Sequence, residues 1–339
     1  VYKRQERVLL YADVPLLTRP IAAATVLDAL PLACERDPYA CSVVRDYLAS
    51  FMRSAGLSHA SVELAATSNN AAALANRRGM PSDSAYEIAA QYYWQPGDRM
   101  LLSAGFISNE DDTYATGSML SVGFEYMQLD VGFRDHWFSP MNTSSMLIGT
   151  QAQTMPSLTV SNYTPLSRWN FRYELFVAEM SESDRIRFGD GFTSGNPRLA
   201  GMHLSVQPLP GFTIGLNRIM QFGGGERGGN SLRQVFDAFF DPSGADNFAA
   251  GTDRSTEFGN QAASITARFM MPTERPYSVY FEYAGEDTST NSNARLGNVS
   301  LSAGLHFMRL PGEFELTLEF ADWQNAWYTH GIYQDGLVL

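Results

Sequence analysis

The run from Arg134 to Pro140 holds the densest group of side chains that could perform chemistry. Asp135, His136 and Ser139 lie within it, and these are the residue types of a hydrolase triad. Neighbouring residues of an extended chain point to opposite faces, however, so Asp135 cannot orient His136 as a triad requires. No Gly-x-Ser-x-Gly turn surrounds Ser139 either. We therefore predict a structural or ligand-binding role for this run, in a protein that is not an enzyme.

Charged residues near this run alternate with apolar residues and fall on neighbouring predicted strands. The alternation predicts that they share one face of a sheet. The expected charge network comprises Glu125, Asp130, Arg134, Arg172 and Glu174. An internal set of salt bridges is the favoured interpretation, and the lining of a pore is the alternative.

Long alternating strands would position these residues. After Leu57 the hydrophobic period is two, so one face of each segment is apolar and the other is polar or charged. Segments of about ten residues suit a tilted crossing of a bilayer better than a soluble sheet. The predicted fold class is mainly β, an antiparallel up-and-down transmembrane β-barrel, with a soluble β-sandwich as the alternative. The apolar rows include 120–124, 169–177, 279–283, 299–307 and 314–320.

Short and long connections alternate along these strands, as in a membrane barrel with tight turns at one end and long loops at the other. This regularity requires Asp135 to Met155 to be one long link, and we expect residues 144–155 to fold into the barrel mouth. The count is about fourteen strands, the last one incomplete. Because unpaired strand edges are costly in lipid, we expect the natural protein to contain further strands.

A helical region precedes the strands, since the apolar spacing over residues 6–56 has the helical period. We expect one helix at about 22–33 and a second after Asp37, which would cap it, ending near Gly56. The first five residues, VYKRQ, read like a translated sequencing adapter and are set aside. The expected division is therefore residues 1–5 adapter, 6–56 helical bundle and 57–339 barrel.

Cys34 and Cys41 lie at the end of one predicted helix and at the start of the next. A disulfide between them is the favoured interpretation, and two free thiols are the alternative. Two cysteines without a nearby histidine do not form a zinc site, and we predict no metal or cofactor.

Composition narrows the class of partner. The chain has 24 basic and 36 acidic residues and a net charge of −12, and no basic cluster exceeds the pair Arg77-Arg78, which argues against a nucleic-acid partner. No run of about eighteen apolar residues is present, which excludes a bundle of membrane-spanning helices.

Five motifs are spread over most of the chain: 16–20 (LLTRP), 134–140 (RDHWFSP), 154–163 (TMPSLTVSNY), 169–174 (WNFRYE) and 211–224. Together they resemble the Wzi-type capsule assembly proteins of Gram-negative outer membranes. The RDHW motif followed by TMPS is the most specific of them, because alternating strands alone would match many barrels.

The resemblance implies a periplasmic helical bundle at the foot of an outer-membrane barrel of about eighteen strands, with long loops outside the cell. It implies a lectin-like, non-catalytic protein that binds capsular or exopolysaccharide and helps to attach the capsule, with outer-membrane lipid around it. A porin-like channel for anionic or sugar solutes is the alternative.

Sugar binding requires flat aromatic rings beside groups that form paired hydrogen bonds. The sequence supplies both in its polar run and near a later strand end, although tryptophan also populates the aromatic belt of membrane proteins. The glycan-binding candidates are Arg134, Asp135, His136, Trp137, Trp323 and Trp327.

Overall fold

Three helices begin the computed structural model. They are α1 (Tyr2–Tyr11), α2 (Ala23–Arg36) and α3 (Pro38–Ala49), and one turn of 3-10 helix (Ser50–Met52) follows. The structure describes residues 2–66, 73–76, 78–228, 231–240, 258–288, 296–312, 314–324, 327 and 330–336. No helix in these ranges has the length and apolar character needed to cross a membrane. The apolar end of the chain, 337–339, lies outside the described residues.

The start of α3 follows the sequence prediction, but its end does not. The Asp37 side chain accepts a hydrogen bond from the Ala40 amide at 2.9 Å, which caps the helix. The prediction that Gly56 ends the helix is wrong, because Gly56 already lies in the first strand. The hydroxyl of Tyr93, on a neighbouring strand, donates to the Ser50 carbonyl at the point where the helix gives way to that strand.

The helices pack around a small apolar core that includes Val26, Leu30 and Val44 and also contacts Met308 of the sheet. Cys34 and Cys41 are joined as a disulfide between α2 and α3, with their Cα atoms 5.1 Å apart. The bundle is therefore fixed both within itself and against the sheet.

The remaining elements are mainly strands. The first are β1 (Ala55–Leu64), β2 (Leu74–Ala75), β3 (Pro81–Ser82), β4 (Tyr86–Gly97), β5 (Met100–Ser108), β6 (Thr113–Tyr114), β7 (Met119–Gly123), β8 (Gln128–Gly132) and β9 (Ser157–Ser161). They are followed by β10 (Arg172–Glu179), β11 (Ser183–Phe188), β12 (Gly191–Gly195), β13 (Arg198–Leu209), β14 (Phe212–Phe222), α4 (Leu232–Phe240), β15 (Gly259–Met271), β16 (Tyr277–Thr288), β17 (Leu296–Leu310) and β18 (Phe314–Asp322).

Within the described residues, one 14-stranded antiparallel sheet contains all strands except the hairpins β2–β3 and β11–β12. Its order is β1-β4-β5-β7-β8-β9-β10-β13-β14-β15-β16-β17-β18, with β6 paired to β5. Each neighbour in this order is also the next long strand along the chain, so the sheet is an up-and-down meander. The predicted fold class is confirmed, and the sheet has fourteen strands as predicted, but its fourteenth member is the short β6; residues 333–336 of the predicted incomplete last strand are not part of it.

The predicted alternation of short and long connections holds at most of the links, but not at the link between β9 and β10. Links of five residues or fewer join β4 to β5, β7 to β8, β13 to β14, β15 to β16 and β17 to β18. The β9–β10 link was predicted to be short, but it spans residues 162–171 because β10 begins at Arg172. The helices meet the sheet at the short-link end, since Gly211 of the β13–β14 turn donates its amide hydrogen to Asp13, 2.7 Å away. Near the end of the chain, Tyr333 forms an isolated β-bridge with Ile186, and its hydroxyl donates to the Gly223 carbonyl at 3.0 Å.

The long strands have one apolar face and one polar face, as predicted. On β10, Leu175 and Val177 are 43% and 44% exposed, whereas Glu174 and Phe176 are 6% and 3% exposed. The expectation that this strand begins at Trp169 is wrong. Ser167 and Asn170 adopt positive φ angles of 63° and 50° and fold this segment into a turn before β10.

The long link between β8 and β9, residues 133–156, lies against the polar face of the sheet, and we refer to it as the plug. Phe138, Met146 and Leu147 of the plug have no exposed surface. They belong to one buried cluster with residues from β10, β13, β14, β15 and β16, so the sheet curls around the plug. The prediction of one long link folded inside the sheet is confirmed.

Candidate functional site

Arg134, at the start of the plug, connects two strands of the inner wall. Its guanidinium group lies 2.5 Å from the Asp130 carboxylate on β8 and 2.7 Å from the Glu174 carboxylate on β10. The hydroxyl of Ser161 on the intervening β9 is 3.4 Å away. All of these side chains are largely buried, so Arg134 acts as an internal crosslink.

His136 extends this network. Its Nδ1 is 2.7 Å from Glu174 and its Nε2 is 3.4 Å from the Ser157 hydroxyl. The imidazole stacks on the ring of Phe176, with centroids 3.9 Å apart. That ring lies against Gly201 of β13, where a β-carbon would overlap it. The histidine is therefore fixed on both nitrogens and on one face.

Asp135 points away from His136 and faces the long-link end. Its carboxylate accepts two hydrogen bonds from Arg78, at 2.8 and 2.9 Å, and one from the Thr154 hydroxyl at 2.9 Å. Burial acts to raise the pKa of Asp135, but the hydrogen bonds and charge of Arg78 hold it below its usual range. The side chain is still 32% exposed, which makes it the most accessible charged group of the RDHW motif.

Trp137 is buried and does not present a free ring surface to the outside. Its Nε1 donates to the carbonyl oxygens of Ser139 and Met141 at 3.0 and 3.1 Å. The guanidinium group of Arg19 lies 5.9 Å from the ring centroid. A cavity of about 350 Å³ lies beside the ring, which is large enough for a small ligand. Its lining residues are Glu6, Arg19, Pro20, Asp135, Trp137, Asn142 and Thr150.

The arrangement does not form the triad that the sequence suggested. Ser139 donates to Glu282 of β16 at 2.7 Å, and His136 pairs with Glu174 rather than with Asp135. The sequence argument against catalysis by these three residues therefore agrees with the geometry.

Two wall carboxylates that sequence reasoning missed hold the middle of the plug. Glu282 accepts hydrogen bonds from Ser139 and from the Met146 amide, the latter at 3.2 Å. Glu319 of β18 accepts from the amides of Asn142 and Thr143 at 2.7 and 3.0 Å. The alternating pattern places both glutamates on the polar face, and this is the signal that could have identified them.

A second missed cluster anchors the helices, and its Glu6 and Arg19 line the same cavity as Asp135. Glu6 of α1 lies 2.5 Å from Arg19, 3.4 Å from Arg268 on β15 and 3.4 Å from His306 on β17. Burial alone would raise the pKa of Glu6, but the guanidinium groups of Arg268 and Arg19 hold it far below its usual range. Arg7 pairs with Asp37 at 2.8 Å in the same region.

The remaining candidates occupy different places. Glu125 lies in the exposed β7–β8 turn and does not join the network, contrary to prediction, because β7 ends at Gly123. Arg172 lines a cavity of about 320 Å³ with Asp130, Arg134 and Glu174, and donates to the Tyr163 carbonyl at 3.3 Å.

The two tryptophans after β18 are in edge-to-face contact, with centroids 5.9 Å apart. Trp327 is 8% exposed and donates to the Met146 carbonyl, whereas Trp323 is 36% exposed. Trp323 therefore presents an accessible aromatic surface at the long-link end, and Trp327 supports the plug.

Comparison with known proteins agrees with this architecture. The family model of the capsule assembly protein Wzi matches residues 53–338. An uncharacterized 55.8 kDa protein in the cps region of Klebsiella pneumoniae is 27% identical over 207 residues, which cover 57% of this chain and 38% of that protein.

A solved structure of Wzi from Escherichia coli is 17% identical, with a TM-score of 0.74 over 98% of this chain and 74% of its own. That protein is described as an outer membrane protein involved in group 1 capsule assembly and as a carbohydrate-binding β-barrel. The shared fold identifies the curled sheet as the wall of a β-barrel. The extent of the family match shows that the chain belongs to the Wzi family of capsule assembly proteins.

Proposed function

We propose that this protein is an outer-membrane β-barrel that binds capsular or exopolysaccharide at the cell surface and helps to attach the capsule, without catalysis. The observation that carries the proposal is the family match over residues 53–338. The carbohydrate-binding description of the E. coli Wzi structure supports the same ligand class.

The surface of the wall supports placement in a bilayer. Its outward rows are apolar and exposed over many strands, whereas charged residues face the interior. Hydrocarbon is the environment in which an exposed apolar band and a polar interior are both favourable. In this placement the helices lie on the periplasmic side, at the short-link end, and the long links face outward.

The filled interior favours binding over transport. Within the described residues, the plug is held to the wall by Glu282 and Glu319, and α1 is held by Arg268 and His306. A porin needs an open aqueous path, and these contacts occupy the interior at two levels. Planar-bilayer recordings on the full-length protein should therefore show no robust open-channel current, and such a current would contradict the proposal.

The exposed candidates differ in role from the buried ones. We propose that Asp135 and Trp323 contact the polysaccharide, since both are accessible at the long-link end. Trp137, Trp327 and His136 are buried and position the plug. An aromatic ring suits the apolar face of a sugar, and a carboxylate suits its hydroxyl groups.

Binding of purified capsular polysaccharide to the full-length protein in detergent tests the proposal. We expect Trp323→Ala to weaken binding about threefold to tenfold, the effect of losing one aromatic contact worth about 1 kcal/mol. The matched control is Trp94→Ala, which removes an equally large ring that is 50% exposed near the short-link end of β4. Equal loss in both variants, or no binding by the native protein, would reject the assignment.

A further inference from the structure

Helix α4 packs against the outside of the wall. Asn217 of β14 donates to the carbonyl of Phe138 in the plug, at 3.3 Å, so its side chain faces the interior. The adjacent Arg218 and Met220 therefore share the opposite, outer face. Met220 belongs to a buried cluster with Ala238 and Phe239 of α4. The helix thus lies beside the barrel rather than above its mouth.

The contact between α4 and the wall is both apolar and polar. Ala238 and Phe239 are buried against residues of β13 and β14. The Gln261 side chain on β15 donates to the Ala238 carbonyl at 3.2 Å. The ring of Phe239 lies 5.3 Å from the guanidinium carbon of Arg218. These contacts fix which side of the helix faces the protein.

The position of α4 explains a polar pair on the outer face. Arg218 and Gln261 are bonded to each other there, the guanidinium Nε lying 2.9 Å from the amide oxygen. Their neighbours on the same outer rows, Leu216 and Ile265, are 50% and 41% exposed and apolar. A guanidinium group in contact with hydrocarbon would be costly, and Phe239 covers it.

The rest of the helix surface is divided. Phe236 and Phe240 are 62% and 56% exposed and contact each other, with ring centroids 4.5 Å apart. Gln234 and Asp237 are exposed on the other flank of the helix. A helix with one flank on protein, one aromatic flank and one polar flank is suited to the boundary between lipid and water.

We propose that α4 is an interfacial lipid-binding helix, with Phe236 and Phe240 in the acyl chains of the outer leaflet. This inference rests on the proposed bilayer location of the barrel. Lipid is the favoured occupant because the aromatic flank is exposed on the same outer side of the wall as the exposed apolar residues Leu216 and Ile265.

Nitroxide labels on single introduced cysteines in the full-length protein, reconstituted in vesicles, test this position. Oxygen partitions into lipid and a nickel chelate stays in water, so their relative collision rates report the surroundings of each label. Phe236→Cys should show the high oxygen-to-nickel ratio of a lipid-exposed site, and Gln234→Cys should show a lower ratio. Unsubstituted protein reports any labelling of the native cysteines.

Phe281→Cys, on the outer face of β16, and Asp111→Cys, in the β5–β6 turn, provide the lipid and water references. If Phe281→Cys reads as lipid and Phe236→Cys reads as water, the lipid-binding role of α4 is rejected while the bilayer location stands. If Phe281→Cys also reads as water, the bilayer location itself fails. Immobilisation of the label at 236 by added polysaccharide, with no lipid signal, would identify a glycan surface instead and overturn the proposal.

Discussion

Charged groups hold the interior of this barrel at both ends, but under different conditions. At the helix end, Glu6 and Arg268 have side chains that are 3% and 1% exposed. At the long-link end, Arg78 and Asp135 are 12% and 32% exposed. A buried pair cannot exchange its partner for water, whereas a partly exposed pair can. The buried pair therefore fixes the helices to the wall, whereas the partly exposed pair at the outer end is accessible to a ligand.

The largest loss of stability is expected at the helix end. Glu6→Ala removes the carboxylate that faces Arg268 and Arg19 and leaves buried positive charge uncompensated. We expect it to lower the free energy of unfolding by about 3–5 kcal/mol. Urea titration of the full-length protein in vesicles measures this value. Asp28→Ala, which removes an exposed carboxylate on α2, should cost less than about 0.5 kcal/mol. Similar losses in the two variants would show that the buried Glu6 contributes no more to stability than an exposed carboxylate.

The disulfide should contribute the next largest effect at the helix end. Replacing Cys34 and Cys41 together with serine removes a crosslink between α2 and α3. The expected loss is about 2 kcal/mol for a loop of this length. Hydrogen exchange should show faster opening of α2 and α3 with little change in the strands. Reaction of the native protein with thiol reagents before any reductant is added would show that the cysteines are not paired.

Weakening the network around Arg134 should cause an intermediate loss of stability. Glu174→Gln retains the shape of the side chain but weakens its charged hydrogen bonds to Arg134 and His136. We expect a loss of about 2 kcal/mol in the free energy of unfolding. The matched control is Glu125→Gln in the exposed turn, which should change stability by less than about 0.5 kcal/mol. A loss of stability in Glu125→Gln as large as that in Glu174→Gln would show that Glu125 belongs to the network.

The smallest effect is expected at the outer pair, and it should depend on pH. The pKa of Asp135 is lowered in the folded protein, so its contribution is present above the ordinary carboxyl pKa of about 4 and is lost as pH falls through the folded value. At neutral pH, Asp135→Asn should cost about 1 kcal/mol or less. Unfolding curves of both proteins between neutral and strongly acidic pH should converge on the acidic side. If the stability difference between the two proteins instead grew as the pH fell, the expected pH dependence would be contradicted.

Periodicity and local motifs were sufficient for much of the fold. Strict alternation identified which rows face outward, as Leu175 and Glu174 show, and turn residues located most of the short links. Asp37 before Pro38 marked the start of a helix. These features depend on neighbours a few positions apart, which the sequence displays directly.

The candidate site was less predictable because its partners are distant in sequence. Arg78 and Asp135 are 57 positions apart, and Glu6 and Arg268 are 262 apart. Alternation assigns a residue to a face but does not select its partner. Trp137 and Trp327 are buried by an irregular segment whose path has no period, so their burial could not be deduced. The prediction that Glu125 joins the network was wrong because the alternating pattern of the sequence extends to Glu125, whereas β7 ends at Gly123.

The close contact of Phe176 with Gly201 couples three positions that belong to separate parts of the chain. A side chain at 201 would tilt the ring toward His136 and displace the imidazole from Glu174. Homologues that lose the glycine must therefore shrink the residue at 176 or replace the one at 136. We therefore expect positions 136, 176 and 201 to covary among homologues, because their side chains share one confined space.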